Sequence, residues 1–331
     1  MSAPTGVVVE KVIKVNAKIR PYKKYHPPQA NNPLLPPLWF SMLSASAKNS
    51  GKTYNVIQLL TAYENSGFTQ EGEKCEMRTV WFSGSTATSK NNAIIRTLKS
   101  LAPEDIHNLD SGNINVVKEV YDECVKEKED IEKYMEYEAA YKKWRKEGED
   151  KLDALELLIL DEKNFVAPRN LEDKPLYKRP RVVFMIWDDV LGNPLIFSYK
   201  KDNWINKTII RHRHDAEGLV PINMILISQS FKAVSTIVRK NADLFILLRN
   251  ANKRKLLENV SEETGGVVSM KDLETLYDYA MKEEYGALIV SIHPADKVRF
   301  RLSWDKELTL GDTACNCESK GLKKYSCGKS K

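Results

Sequence analysis

The segment Ser46-Ala47-Lys48-Asn49-Ser50-Gly51-Lys52-Thr53 joins small residues, an ammonium and a hydroxyl in an order suited to holding a polyphosphate. It matches the pattern G-x-x-x-x-G-K-[ST] except that Ser46 stands in the first glycine position. The chemistry needs backbone N–H groups curled around a phosphate and a helix N-terminus aimed at the anion. It also needs an ammonium on the outer phosphate oxygens and a hydroxyl on Mg²⁺. Gly51, Lys52 and Thr53 supply the last parts of that set. Ser46 is small enough to fit, although a glycine-only φ at that position would be strained. Lys48 adds a second cation, placed to touch the γ-phosphate, reach a neighbouring subunit or face solvent. A Gly-Lys-Thr in a loop also arises by chance, so its flanks matter. They are an apolar run before and an amphipathic stretch after.

Trp187-Asp188-Asp189 ends another apolar run. An acid at the C-terminal edge of a parallel strand lies where open α/β sheets bind ligands. Asp188 is expected to hold Mg²⁺ through water alongside Thr53, and Asp189 to orient or deprotonate the attacking water. The plain alternative is two turn acids, for which Asp is favoured. Gln229 follows the run ending Ile227-Ser228 and is placed to sense the γ-phosphate or to cap the next helix. Arg211-His212-Arg213-His214 spaces its histidines at i, i+2, which do not share a helix face, so a helical metal pair is not expected. Arginine is the more useful residue there, because charge develops on the γ-phosphate oxygens during phosphoryl transfer. Arg211, Arg213, Arg239 and Arg249 are the candidates to act across a subunit boundary, with Arg239 preferred.

These residues need strands and helices to carry them. Leu38–Leu43 reads as a buried strand, Thr53–Ser66 as a helix stopped at Gly67, and Thr79–Ser83 as a second strand running into Gly84-Ser85-Thr86. Residues 182–187, 222–227 and 244–248 are near-continuous apolar runs, as central parallel strands require. Segments 286–293 and 297–304 flank Pro294-Ala295-Asp296 and read as a hairpin closing the sheet. The expected fold class is therefore α/β: about five parallel strands flanked by helices, with a C-terminal hairpin.

Residues 117–150 depart from that plan, with 20 of 34 charged. They read as one or two long, mostly exposed amphipathic helices in an insertion spanning about 117–164. The expected boundaries are a proline-rich extended arm over 1–37, a core domain over 38–310 and a basic tail over 311–331. Six prolines in 21–37 exclude a helix or central strand there.

At 331 residues, a single large domain with insertions or two small ones is expected. A hydrophobic content of 42% against 29% charged excludes a wholly disordered or collagen-like chain. No apolar run approaches bilayer length, so no membrane association is expected. The opening Met-Ser-Ala-Pro-Thr-Gly lacks secretory features, so the chain is expected not to be secreted. Five cysteines without framework spacing suit a reducing compartment. Zinc is not expected: Cys315, Cys317 and Cys327 leave the closed tetrahedral set incomplete unless His293 folds back. The net charge of +6 names no partner. The tail lysines from Lys320 to Lys331 form either a solvated end or a phosphate-seeking arm.

Taken in order, Lys48–Thr53, Ile186-Trp187-Asp188-Asp189, Arg211-His212, Ile227-Ser228-Gln229-Ser230 and Val238-Arg239-Lys240-Asn241-Ala242-Asp243 resemble the genome-packaging ATPases of large nucleocytoplasmic DNA viruses and virophages, within the FtsK–HerA superfamily. The resemblance spans roughly residues 38–250. It implies a P-loop NTPase fold of the ASCE, RecA-like kind, with ATP and Mg²⁺ as cofactors. It implies a homo-oligomeric ring, a pentamer or hexamer, that drives double-stranded DNA into a preformed capsid at its portal vertex. The expected location is the host-cell cytoplasm, in the viral factory, and the virion. The alternatives are another DNA pump or helicase of the superfamily, and a capsid-associated or scaffolding protein whose nucleotide site has decayed.

Overall fold

The computed structural model describes residues 28–84, 93–109, 115–189, 204–211, 222–232, 234–264 and 268–310. The amino-terminal arm up to residue 27, the His212–His214 element with Arg213, and the tail with Cys315, Cys317 and Cys327 lie outside the described residues.

Twelve strands are described, β1 Gln29–Ala30, β2 Ser41–Ala45, β3 Phe68–Gln70, β4 Glu73–Cys75, β5 Met77–Ser83, β6 Ile106–Asn108, β7 Val182–Asp188, β8 Ile222–Ser228, β9 Leu244–Leu247, β10 Leu288–Ser291, β11 Phe300–Leu302 and β12 Lys306–Glu307. The main helices are α1 Lys52–Ser66, α2 Asn115–Glu147, α3 Ala154–Asp161, α4 Trp204–Arg211, α5 Thr236–Lys240, α6 Lys253–Glu263 and α7 Met270–Ala280. Nine strands form one sheet in the order β12-β11-β10-β9-β2-β8-β7-β5-β6. The strands from β9 to β6 run parallel, and β10 to β12 are antiparallel additions.

The parallel strands number six, one more than the apolar runs suggest. β6 is three residues long and carries His107 and Asn108, so it lacks the apolar signature of a central strand. It can do so because it pairs on one side only. β2 starts later than its apolar run, at Ser41, because Trp39 takes φ 64 and breaks the extended backbone before it. A small antiparallel sheet, β1-β3-β4, is unannounced by hydropathy. Glu71 (φ 51) and Gly72 (φ 82) make its two-residue turn, the positive-φ pair that matches strand twist.

Both faces of the main sheet are covered, which explains the unbroken apolar runs. Along β7, Val183, Met185 and Trp187 enter one core and Val182, Phe184 and Ile186 the other. Helix α1 lays Val56, Leu59, Leu60 and Tyr63 on the second face, and Gly67 (φ 69) ends it. Helices α6 and α7 cover the first face through Leu257, Val260, Leu273 and Leu276.

The charged insertion is less solvated than its composition suggests. Val117, Val120, Tyr121 and Cys124 on the first turns of α2 join the first core. Arg78 on β5 bonds Glu123 (3.0 Å), and Arg181, just before β7, bonds Glu127 (2.9 Å). Farther along, Tyr137 and Ala140 pack with Leu160 of α3 in a small cluster of their own. The Cys75 and Cys124 thiols are buried and free, and burial pushes them up to about 11 and about 12.

A buried ion pair ties the chain entering the core to the C-terminal strands. Arg301 on β11 donates to both Asp296 oxygens (2.8 and 2.9 Å), to the Leu34 carbonyl (2.7 Å) and to the Val298 carbonyl (2.9 Å). Both side chains are almost fully buried. Asp296→Ala would leave the guanidinium charged and unpaired, and is expected to cost about 3–5 kcal/mol of stability. The denaturant midpoint at unchanged m-value measures it.

Candidate nucleotide-binding site

The site is built where β2, β7 and β8 end side by side. The register pairs Ala45 with Ser228 and Asp188 with Ile227, so the loop after β2 meets the acids after β7 across the end of β8. Ser46 is buried at the base of the loop. Its N–H donates to the Ser228 carbonyl (3.1 Å) and its hydroxyl to the Arg249 carbonyl (3.2 Å), so it is fastened to the ends of β8 and β9. Ser46 is not among the residues with positive φ, which removes the strain that serine in a glycine position would otherwise bring. The left-handed positions fall instead on Asn49 (φ 61), a residue that tolerates them, and on Gly51 (φ 88), which caps α1. No side chain caps α1, and no acid lies in its first turn. Its leading N–H groups and partial positive charge are therefore left for an anion.

Lys52 donates to the carbonyls of Ser46 (2.8 Å) and Ala47 (2.7 Å). Burial pulls its pKa down, against the opposing pull of Asp188 and Asp189. The Thr53 hydroxyl donates to Asp188 Oδ2 at 3.3 Å. Burial, and then the charge of Asp189, push the Asp188 carboxyl up to about 6. Asp189 takes φ 53, its N–H donates to the Ile227 carbonyl (3.2 Å), and its Oδ1 accepts from Gln229 Nε2 (2.9 Å). An open cavity of about 570 Å³ holds these groups together, with the loop, Thr53, Asp188, Asp189 and Gln229 in its wall.

A phosphate loop thus faces a paired-acid strand edge, with one further strand between their parents. The fold is that of a P-loop NTPase. The strand order β9-β2-β8-β7-β5 places β8 between the loop strand and the acid strand. Magnesium suits the donor set. Thr53 Oγ1 and Asp188 Oδ2 are adjacent hard oxygens, and Mg²⁺ takes few protein ligands while keeping water and phosphate oxygens. Among the described residues no group of three or more His, Cys, Asp or Glu could hold a metal by itself. Among the described residues the buried Ser50 Oγ has no partner, an orphan that an anion would satisfy.

The arginine candidates divide. Arg239 is held within its own chain, 3.4 Å from Glu263 and over the Phe231 ring at 5.5 Å, and it lines neither the main cavity nor its neighbour. Arg249 lies beside the loop of its own chain, its Nη2 donating to the Met281 carbonyl (2.7 Å). The backbone of Arg211 ends α4. Lys48 and Ala47 are exposed on the loop. Sequence reasoning passed over Tyr285, Tyr54, Trp81 and Ile94, which also line the main cavity. None belongs to a motif; Trp81 lies in β5, and Tyr285 comes just before β10.

No protein-family model matches the chain, and no curated protein matches it either. Among solved structures it is similar to the genome-packaging NTPase B204 of Sulfolobus turreted icosahedral virus 2 with sulfate bound, at 13% identity and TM-score 0.40, covering 79% of this chain and 95% of that one. B204 from Sulfolobus turreted icosahedral virus, a DNA-packaging ATPase, aligns at 14% identity and TM-score 0.41 over 79% and 96%. The cytoplasmic domain of the Thermomonospora curvata type VII secretion ATPase EccC aligns at 12% identity and TM-score 0.39, over 80% of this chain and 25% of that one. At such scores these likenesses assign neither activity nor ligand. Among the described residues no helix is long and apolar enough to cross a membrane.

Proposed function

We propose that the chain hydrolyses ATP and uses the hydrolysis to drive double-stranded DNA through an oligomeric ring into a viral capsid. The observation that carries the hydrolase reading is the Thr53–Asp188 contact at 3.3 Å, with Asp189 and Gln229 bonded beside it at 2.9 Å. Those distances gather the Thr53 hydroxyl, the Asp188 and Asp189 carboxylates and the Gln229 amide at one mouth, a set suited to holding a metal, activating water and sensing a phosphate. The loop N–H groups and the start of α1 cradle the phosphates, and Lys52 exchanges its loop carbonyls for phosphate oxygens. Thr53 and Asp188 would hold Mg²⁺, which supplies charge neutralisation on the phosphates when bound. Asp189 takes a proton from the attacking water. The water oxygen bonds to the γ-phosphorus, the bond to the bridging oxygen breaks, and ADP and phosphate leave. Gln229, now bonded to Asp189, is placed to exchange that bond for one to the γ-phosphate.

The DNA and capsid parts of the reading are supported by the motif set resembling packaging ATPases. Ring assembly would bring an arginine from a neighbour, drawn from Arg211, Arg213 or Arg239, of which Arg239 must first leave Glu263. On the same resemblance, the activity belongs to the host-cell cytoplasm, with the protein also carried in the virion.

The test is steady-state ATP hydrolysis with and without duplex DNA across a salt series. Duplex DNA is expected to stimulate turnover independently of sequence, and the stimulation should fall steeply with salt as phosphate contacts weaken. Hydrolysis that no duplex alters at any salt concentration would remove the translocase reading and leave a plain ATPase.

A further inference from the structure

A second cavity, of about 430 Å³, opens beside the phosphate loop against Asn49, Ser50, Tyr285 and a mixed set of charges, Arg249, Lys282, Glu283 and Glu284. We infer that it receives the base and ribose of the nucleoside triphosphate, with the Tyr285 ring stacked on the base. The inference deepens the ATP-hydrolase reading and rests on it.

Sheet order gives the first argument. Asp188, Asp189 and Gln229 lie at the ends of β7 and β8, on one side of the loop strand β2. β9 lies on its other side, and Arg249 follows β9 directly. β10 runs antiparallel to β9, with Leu288 opposite Leu247, so it starts at the edge where the parallel strands end. That reversal delivers Tyr285 to the loop. A nucleotide with its terminal phosphate at the acids, threaded over the loop, sends its other end toward Arg249 and Tyr285.

Local geometry gives the second. Tyr285 is 65% exposed at φ 61, a costly backbone for a bulky aromatic. A β-carbon on the next residue, Gly286, would lie 2.1 Å from the Ala280 carbonyl oxygen, so the chain passes α7 there only as glycine. The ring edge comes within 3.8 Å of where a β-carbon on Gly51 would sit. The Arg249 side of the cavity is fastened by hydrogen bonds. Arg249 reaches the Met281 carbonyl, its own carbonyl accepts from Ser46, and the next N–H, that of Asn250, donates to the Tyr277 hydroxyl at 3.0 Å. An exposed aromatic ring and an exposed guanidinium lining one cavity suit a nucleobase and its sugar. Ser50 lines both cavities and so marks where they adjoin.

Calorimetry on the full chain, with Mg²⁺, compares ATPγS with inorganic tripolyphosphate, which has no base. Tyr285→Ala is expected to weaken ATPγS about tenfold or more. It should leave tripolyphosphate within about twofold, and Tyr285→Phe should keep both ligands at parental affinity. Equal loss of both ligands, or ATPγS held undiminished by Tyr285→Ala, overturns the inference. So does a loss of ATPγS seen with Ile94→Ala alone, which would seat the base on the wall beside the acids. A parent chain that binds neither ligand sinks the hydrolase reading itself, whereas an unaffected Tyr285→Ala leaves that reading standing.

Discussion

Asp189→Asn is expected to lower ATP turnover about 10²–10⁴-fold, the usual worth of a positioned general base. Affinity for the magnesium–nucleotide complex should stay within a few-fold. The two effects separate because Asp189 and Asp188 have different partners. Asp188 is half-buried and bonded to Thr53, the metal side of the site. Asp189 is exposed toward the cavity and bonded to Gln229. Asparagine keeps the shape and still accepts from Gln229, but it takes no proton from water. Fold stability should not suffer, since the left-handed backbone at 189 (φ 53) is one that asparagine adopts readily. Single-turnover hydrolysis alongside calorimetric binding checks both halves. A drop in affinity matching the drop in turnover would show that Asp189 holds metal rather than the reacting water.

Lys52→Ala is expected to lower turnover by about 10³-fold or more and to weaken ATP binding, because the fixed cation nearest the phosphates disappears from a partly buried site. Among the described residues Lys52 bonds the carbonyls of its own loop, and burial depresses its pKa. Its removal therefore takes away a cation that the free protein holds at a cost. The melting temperature of the free chain should shift by no more than a few degrees. Loss of activity with melting preserved is the expected pair. Persistent hydrolysis would mean that Lys48, exposed on the same loop, can replace it.

The parts of this site that the sequence discloses are those whose chemistry demands a residue type at a spacing. Gly51-Lys52-Thr53 needs a left-handed turn, an ammonium and a hydroxyl in consecutive positions, and Asp188-Asp189 needs an acid after a buried strand. The central strands were readable because burial on both faces leaves β7 and β8 no polar side. β6 was not, since an edge strand of three residues can carry His107 and Asn108. The sheet β1-β3-β4 was hidden because its turn rests on Glu71 and Gly72 rather than on hydropathy. The half-packing of the charged insertion was hidden too, as Arg78 and Arg181 fasten Glu123 and Glu127 from remote strands. Tyr285 could not be seen at all. Its place at the loop follows from the antiparallel return of β10 and the glycine beside it, and both are tertiary facts.

The fastening of Ser46 to Arg249, 203 residues further along, sets a schedule for the growing polypeptide. The loop strand β2 pairs only with β8 and β9, so on the ribosome it waits, apolar and unpaired, until nearly the whole core has been made. The motif that appears first in translation thus gains its framework only after residue 247 has been made. Products truncated before β8 and β9 would carry the lysine and threonine with neither partner strand of β2.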